Sequence, residues 1–130
     1  MSSRLLRLVP LFAVVLALPT ARASAQDKVY SLAEVNTPPK LAAPSQAMRV
    51  IQSSYPADLR NKGVAGEVEV QFVVAPTGKV EAGSVEVIDA SVPQLGDAAK
   101  GAVEKLEFTP AKVNNAAVRA RVVLPIAYRP

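Results

Sequence analysis

Residues 63–80 read Gly-Val-Ala-Gly-Glu-Val-Glu-Val-Gln-Phe-Val-Val-Ala-Pro-Thr-Gly-Lys-Val, and the rest of the predicted domain is organised around this segment. From Glu67 to Val74 one row of positions is apolar and the other is mostly polar. Side chains of a strand point to opposite faces at successive residues, so the pattern predicts a half-buried β-strand. Residues 75–78 supply turn chemistry, because Pro presets φ and Gly accepts a positive φ. The stretch therefore predicts a β-hairpin whose second strand runs on to Val87.

The second strand of this hairpin carries a fault in its alternation. Val80 and Ala82 share one parity, whereas Val85 and Val87 share the other. One residue has to slip between them, and we expect a β-bulge near residues 83–84.

The N-terminus has the pattern of a secretory signal at residues 1–25. Two arginines precede an apolar run at residues 8–18, and Ala-Ser-Ala ends the segment at Ala25. The run is about half of the ~20 residues that a spanning helix needs. We expect cleavage before Gln26 and export of the mature chain; an uncleaved segment would instead anchor the chain in the membrane.

Composition narrows the class of function. The chain has 15 Lys and Arg against 11 Asp and Glu, and three of the arginines lie in the predicted signal, so the mature net charge is 15 − 3 − 11 = +1. A nearly neutral domain gives no electrostatic case for nucleic acid. The sequence contains neither Cys nor His, which removes the commonest zinc ligands and the commonest general base. We expect no cofactor and no enzymatic activity.

Before the hairpin, the sequence predicts a leader and two short helices. Residues 26–44 form an extended Pro-containing leader, which we interpret mainly as a mobile linker, although residues 29–32 could add a short strand. A helix is predicted over 45–53 with Ser45 as its N-cap, and a second over 56–63 that ends at a glycine.

After the hairpin, a helix and a long terminal strand are predicted. Apolar residues at i, i+3, i+4 spacing indicate a helix over 91–106. Asn114-Asn115 indicates a turn. Ala116–Tyr128 alternates as a strand, and its apolar row consists of Val118, Ala120, Val122, Leu124, Ile126 and Tyr128. Pro125 cannot donate to a ladder, so we expect this strand to have one unpaired side. The prediction is an α+β domain over residues 45–130, with about three antiparallel strands and helices packed on one face.

Several short motifs follow one another along residues 45–129. In chain order they are Tyr55-Pro56, Leu59-Arg60, Gly63-Val64-Ala65-Gly66-Glu67-Val68, Phe72-Val73-Val74, Pro76-Thr77-Gly78-Lys79-Val80, Leu95-Gly96-Asp97-Ala98-Ala99, Phe108-Thr109-Pro110-Ala111 and Val123-Leu124-Pro125-Ile126. Each motif alone is a weak signal. In this order they resemble the C-terminal domain of TonB energy-transducer proteins.

That resemblance implies a function in energy-coupled transport across the outer membrane. It implies that the domain binds the N-terminal peptide of a TonB-dependent outer-membrane transporter by β-strand addition beside the last strand. It also implies partner contacts from Gln52, Tyr55 and Pro56, alongside residues of the last strand. The peptide-binding positions predicted on that strand are Val118, Ala120, Val122, Leu124 and Ile126. The short leader departs from the long rod of such transducers, so we expect binding without a clear means of transmitting force.

Three alternatives stay open at this point. Tyr55-Pro56 could be a helix break with a packed aromatic ring, and Arg119 and Arg121 could form a solvated face that discourages aggregation. The unpaired strand could also serve a homodimer, which would make the chain a self-associating structural domain without a transporter partner.

Overall fold

The fold is built from seven strands and three helices over residues 28–130, the part of the chain that this computed structural model describes; the predicted signal at 1–25 lies outside the described residues. In chain order the elements are β1 (Val29–Tyr30), β2 (Lys40–Leu41), α1 (Pro44–Ser53), α2 (Ala57–Asn61), β3 (Gly66–Val74), β4 (Glu86–Ala90), α3 (Pro93–Val103), β5 (Phe108–Thr109), β6 (Ala111–Val113) and β7 (Ala116–Tyr128).

The main sheet has the strand order β1-β7-β3-β4. β7 pairs antiparallel with β3 from Tyr128 to Ala120, while β1 pairs with it in parallel on the opposite side. β6 pairs antiparallel with the first residues of β7, and β2 pairs with β5 in a separate two-stranded sheet. The predicted α+β class is confirmed, with a mixed sheet of more strands than the three expected.

The core lies between this sheet and the helices. α3 packs on β3 and β4, and α1 packs against α3. The even-numbered residues of β3 and β7 face the helices, as the alternation predicts, and the largest side chains buried there are Phe72, Leu95, Val68, Val70, Val74, Val103 and Tyr128. Removing this much apolar surface from water is the main stabilising contribution to such a domain.

The connection from β3 to β4 differs from a simple hairpin. Gly78 has φ +87°, and a Cβ there would stand 2.0 Å from the carbonyl oxygen of Phe108, so only glycine fits this turn. A single 3₁₀ turn, Ala82–Ser84, then interrupts the returning chain where we expected a bulge. The bulge lies later, because Glu69 pairs with Asp89 and Val70 with Val87, which leaves Ile88 unpaired.

The helix boundaries also shift slightly. α1 begins with Pro44 after Ala43, and Ser45 makes no capping hydrogen bond. Proline at the first position has its φ preset and lacks an N–H that would have no helical partner anyway, so it starts the helix without a side-chain cap. In α3, Gly96 lies close to β4, where an added Cβ would be 3.3 Å from the Cβ of Ala90.

The leader is docked on the domain from Lys28 onward and is not a detached linker. Tyr30 and Val35 pack on a small second core formed by Ala111, Val118 and Ala120. Thr37 exchanges two backbone hydrogen bonds with Lys112, of 3.1 and 2.9 Å. The prolines at positions 38 and 39 keep the segment extended, and an extended segment can pair with neighbouring strands as well as span solvent.

Candidate functional site

Within the described residues 28–130, the long strand β7 has one side without a partner strand over most of its length. Its inner side is paired with β3 from Ala120 to Tyr128 and with β6 at residues 116–118. On its outer side, β1 pairs with Arg119 and Ala120, and within residues 28–130 no strand pairs beyond them. We call the outer side of residues 121–128 the open edge. At about 3.3 Å per residue it is roughly 25 Å long.

The backbone hydrogen bonds of β3 show which groups of β7 face this edge. Glu67 donates its N–H to Ser91 Oγ at 2.9 Å, and its carbonyl accepts from the N–H of Ser91 at 3.0 Å. Val73 likewise bonds to Ser84 Oγ and the N–H of Glu81, both at 2.9 Å. All three partners flank β4, so odd-numbered residues of β3 point toward β4 and even-numbered ones toward β7.

It follows that the even-numbered residues of β7 direct their backbone N–H and carbonyl groups toward β3. Val70, which points toward β7, lies opposite Leu124, whereas Glu69 lies opposite Pro125. Pro125 therefore turns its nitrogen, which carries no hydrogen, toward the open edge, where no ladder bond is lost. Val123 and Ala127 turn both an N–H and a carbonyl toward that edge, and Pro125 turns a carbonyl alone.

The predicted peptide-binding residues of β7 are all even-numbered, so they belong to the row whose backbone groups face β3. Val122 and Ile126 are buried under the helices and Leu124 is half-buried, so only their flanks border the edge. Ala120 pairs with Tyr30 on the outer side, and Val118 pairs with Ala111. Sequence reasoning followed the apolar side chains and missed Val123 and Ala127. The sequence did contain a signal for this. A proline nitrogen cannot donate a ladder bond, so Pro125 has to turn it away from β3, and the odd-numbered neighbours of Pro125 then face the open edge as well.

The three residues expected from α1 and its exit occupy different environments. Gln52 is exposed, Pro56 is half-buried and Tyr55 is only 4% exposed. The hydroxyl of Tyr55 donates to the carbonyl of Val64. Its ring meets that of Tyr128 edge-to-face, with centroids 5.2 Å apart. The contacts of Tyr55 are therefore those of a packed aromatic ring. Of the three residues, Gln52 is the one that is exposed to solvent.

The contact between Tyr55 and Tyr128 joins the exit of α1 to the end of β7. Tyr128 and Ser54 share a hydrogen bond of 2.9 Å between their hydroxyl groups. Burial raises the pKa of Tyr128, and the hydrogen bond to Ser54 offsets part of that effect. Both hydroxyls stay neutral at physiological pH, so this contact fixes α1 beside the last residues of the open edge.

The described residues contain no cluster suited to a metal ion, and none of their helices is long and apolar enough to cross a membrane. On the face of the sheet away from the helices, Arg119 forms a two-pronged ion pair with Glu81 at 2.8 and 2.9 Å. Arg121 is exposed on the same face and borders the open edge. The interpretation as a solvated face therefore describes Arg121, whereas Arg119 is half-buried in its ion pair.

Residues 51–130 match the family described as Gram-negative bacterial TonB protein C-terminal. The chain belongs to this TonB C-terminal family. It is thus a TonB-like, transport-associated domain of a family of protein-interaction modules that contact outer-membrane proteins.

Among solved structures, the chain is similar to the solution structure of the Helicobacter pylori TonB C-terminal domain (residues 179–285). The identity is 22%, the match covers 67% of this chain and 79% of that one, and the TM-score is 0.42. No curated protein matches the sequence.

Proposed function

We propose that this TonB-like domain acts in the periplasm and binds an extended N-terminal peptide of an outer-membrane transporter, which adds as a strand to the open edge of β7. The observation that carries the proposal is the open edge itself. Strand addition takes its affinity from backbone hydrogen bonds and its register from alternate side chains. The edge offers both, through the backbone groups of Val123 and Ala127 and the adjoining side chains of Leu124 and Val123.

The surroundings of the edge suit a peptide with alternating sides. One row of its side chains would lie beside half-buried Leu124 on the helix side. The other row would lie beside Val123, which is 45% exposed, and Arg121. An apolar row on the first side and a polar row on the second would complete both faces of the sheet.

The test is a titration of the ¹⁵N-labelled full chain with synthetic N-terminal peptides of the outer-membrane transporters from the same cell. We expect saturable shifts of amide signals between Arg121 and Tyr128. Val123→Pro should weaken binding at least tenfold, because it removes an N–H from the edge and places a ring there. Val123→Thr keeps the N–H and the branched shape and should bind normally. Shifts confined to other surfaces, or equal binding by both variants, would contradict the proposal.

Self-association through the same edge is the second candidate. Two copies pairing antiparallel through residues 121–128 would each bring Pro125, so the shared ladder would lack a donor in two places. Light scattering after size-exclusion chromatography separates the cases. We expect a monomer that binds peptide; a dimer that Val123→Pro dissociates and that ignores peptide would favour the self-associating domain instead.

A further inference from the structure

The segment at residues 28–37, which we call the strap, occupies the start of the very edge that is open farther along. Val29 pairs with Arg119 and Tyr30 with Ala120, in parallel, on the side of β7 opposite β3. At Ser31 the strap leaves the edge in a turn, in which the N–H of Glu34 donates to the carbonyl of Ser31 at 3.1 Å.

After this turn the strap crosses to the far side of the β6–β7 hairpin. The backbone groups of Lys112 point away from β7 and bond to Asn36 and Thr37. Consequently the backbone groups of Ala111 and Val113 point toward β7, and β6 lies on the same side of β7 as β3. The strap therefore begins on the outer side of β7 and ends beyond β6, with Val35 packed on the small second core between them.

The two ends of the strap are held with different strength. The far end has three backbone hydrogen bonds between Asn36, Thr37 and Lys112, and the N–H of Asn114 adds one to Asn36 Oδ1 at 2.9 Å. The near end is a strand of two half-buried residues. Its charged contact, Lys28 Nζ to Glu34 Oε1 at 3.5 Å, joins two exposed side chains. A pairing of two residues is not stable by itself, so β1 depends on the packing of Tyr30 on the second core.

From this arrangement we propose that β1 is a built-in stop that sets the register of a strand docked on the open edge. The inference rests on the proposed function. A docked peptide of either direction can pair along residues 121–128 but meets Tyr30 and Ser31 at the next position. Without such a stop, a strand could slide by two residues and keep the same faces, since the side-chain period is two. β1 marks one end of the open edge, and Pro125, which lacks an N–H, marks one position inside it.

The test compares chains in which β1 is fixed or weakened. Val29→Cys with Arg119→Cys joins two directly paired positions outside the main core, and the chain has no other cysteine that could compete. Tyr30→Gly weakens β1 by removing its packing on the second core. Leu32→Gly is the matched control, because Leu32 is an exposed residue of the strap that lies outside β1.

The probes are an eight-residue transporter peptide that binds the full chain and the same peptide extended by three residues at either end. We expect the oxidised disulfide variant, the unmodified chain and Leu32→Gly to bind long and short peptides alike. Tyr30→Gly should bind one long peptide about five- to tenfold more tightly than the short one, with new amide shifts at Val118 to Ala120, because additional ladder bonds form.

Equal gains from the extension in the disulfide-locked chain and in Tyr30→Gly would overturn the inference, and so would the absence of any gain in Tyr30→Gly. Both results leave strand addition intact, because the short peptide still binds. Failure of the short peptide to bind any of the chains would instead contradict the proposed function. If Tyr30→Gly does not fold, Tyr30→Ala supplies the comparison, since it removes the same ring from the second core and leaves the backbone less flexible.

Discussion

The sheet has two outer edges, and they differ in almost every property that governs pairing. The β4 edge is five residues long, is interrupted by the bulge at Ile88 and carries the exposed acids Glu86 and Asp89. The open edge of β7 is longer and is paired in regular register with β3 behind it. It carries no acidic residue, and its main irregularity is Pro125.

Short length, bulges and charges are the means by which proteins prevent an edge strand from pairing with other chains. β4 uses all three, whereas β7 uses one proline whose effect is limited to a single donor. The difference supports the proposal that β7, and not β4, is the edge that accepts a further strand.

Proline substitution at adjacent positions should separate the two sides of β7. Val122→Pro should cost about 3 kcal/mol or more in the free energy of unfolding, because the N–H of Val122 belongs to the ladder with β3. Val123→Pro should cost under about 1 kcal/mol, because its N–H faces the open edge. Urea unfolding of both variants measures the two values. Similar losses would mean that the assignment of the two backbone rows is wrong.

Hydrogen exchange should show the same alternation without any mutation. The amides of Val122, Leu124 and Ile126 should exchange at least about a hundredfold more slowly than those of Val123 and Ala127. The outer side of β4 also pairs with no strand of the described part of the chain, and there the same alternation should break at Ile88. Uniform protection along residues 121–128 would show that the edge is already covered in the isolated chain.

Tyr55 and Gln52 should have separable effects. Tyr55→Phe removes the hydroxyl that donates to the part-buried carbonyl of Val64, so we expect a loss of about 1 kcal/mol in the free energy of unfolding and unchanged peptide binding. Gln52→Ala should leave stability unchanged and weaken binding. Both are measured by denaturation and peptide titration. A binding loss in a fully folded Tyr55→Phe variant would restore Tyr55 to the partner surface.

The smallest effect concerns charge on the β4 side. Asp89 lies directly opposite Glu69 across the bulged pairing, and like charges at such positions are destabilising. Asp89→Asn should therefore raise the free energy of unfolding by a few tenths of a kcal/mol at low salt, with the gain fading as salt is added. Peptide binding to β7 should not change, and a change would indicate that the two edges are coupled.

The sequence was sufficient to predict the parts of the fold that depend on local periodicity. Alternation located β3 and β7 and their buried faces, and Asn114-Asn115 located a turn in which both residues have positive φ. The TonB family followed from the ordered motifs and the α+β class from the order of the predicted helices and strands, and both are confirmed.

The errors arose where tertiary contacts override local patterns. The fault near residues 83–84 became a 3₁₀ turn because Ser84 Oγ accepts the N–H of Val73, and no local pattern announces that bond. The leader was interpreted as a linker because its pairing partners lie about 70 to 90 residues later in the chain. The direction of backbone groups on β7 depended on its register with β3, which only Pro125 hinted at.

One consequence of the strand arrangement concerns the entropy of recognition. The inner side of β7 is hydrogen-bonded by β3 and then by β6 along almost its whole length. β7 is therefore already immobilised before a peptide binds. The loss of conformational entropy on binding would fall almost wholly on the peptide. A peptide constrained beforehand to an extended shape, for example by cyclisation, should for that reason associate more tightly with no added contact.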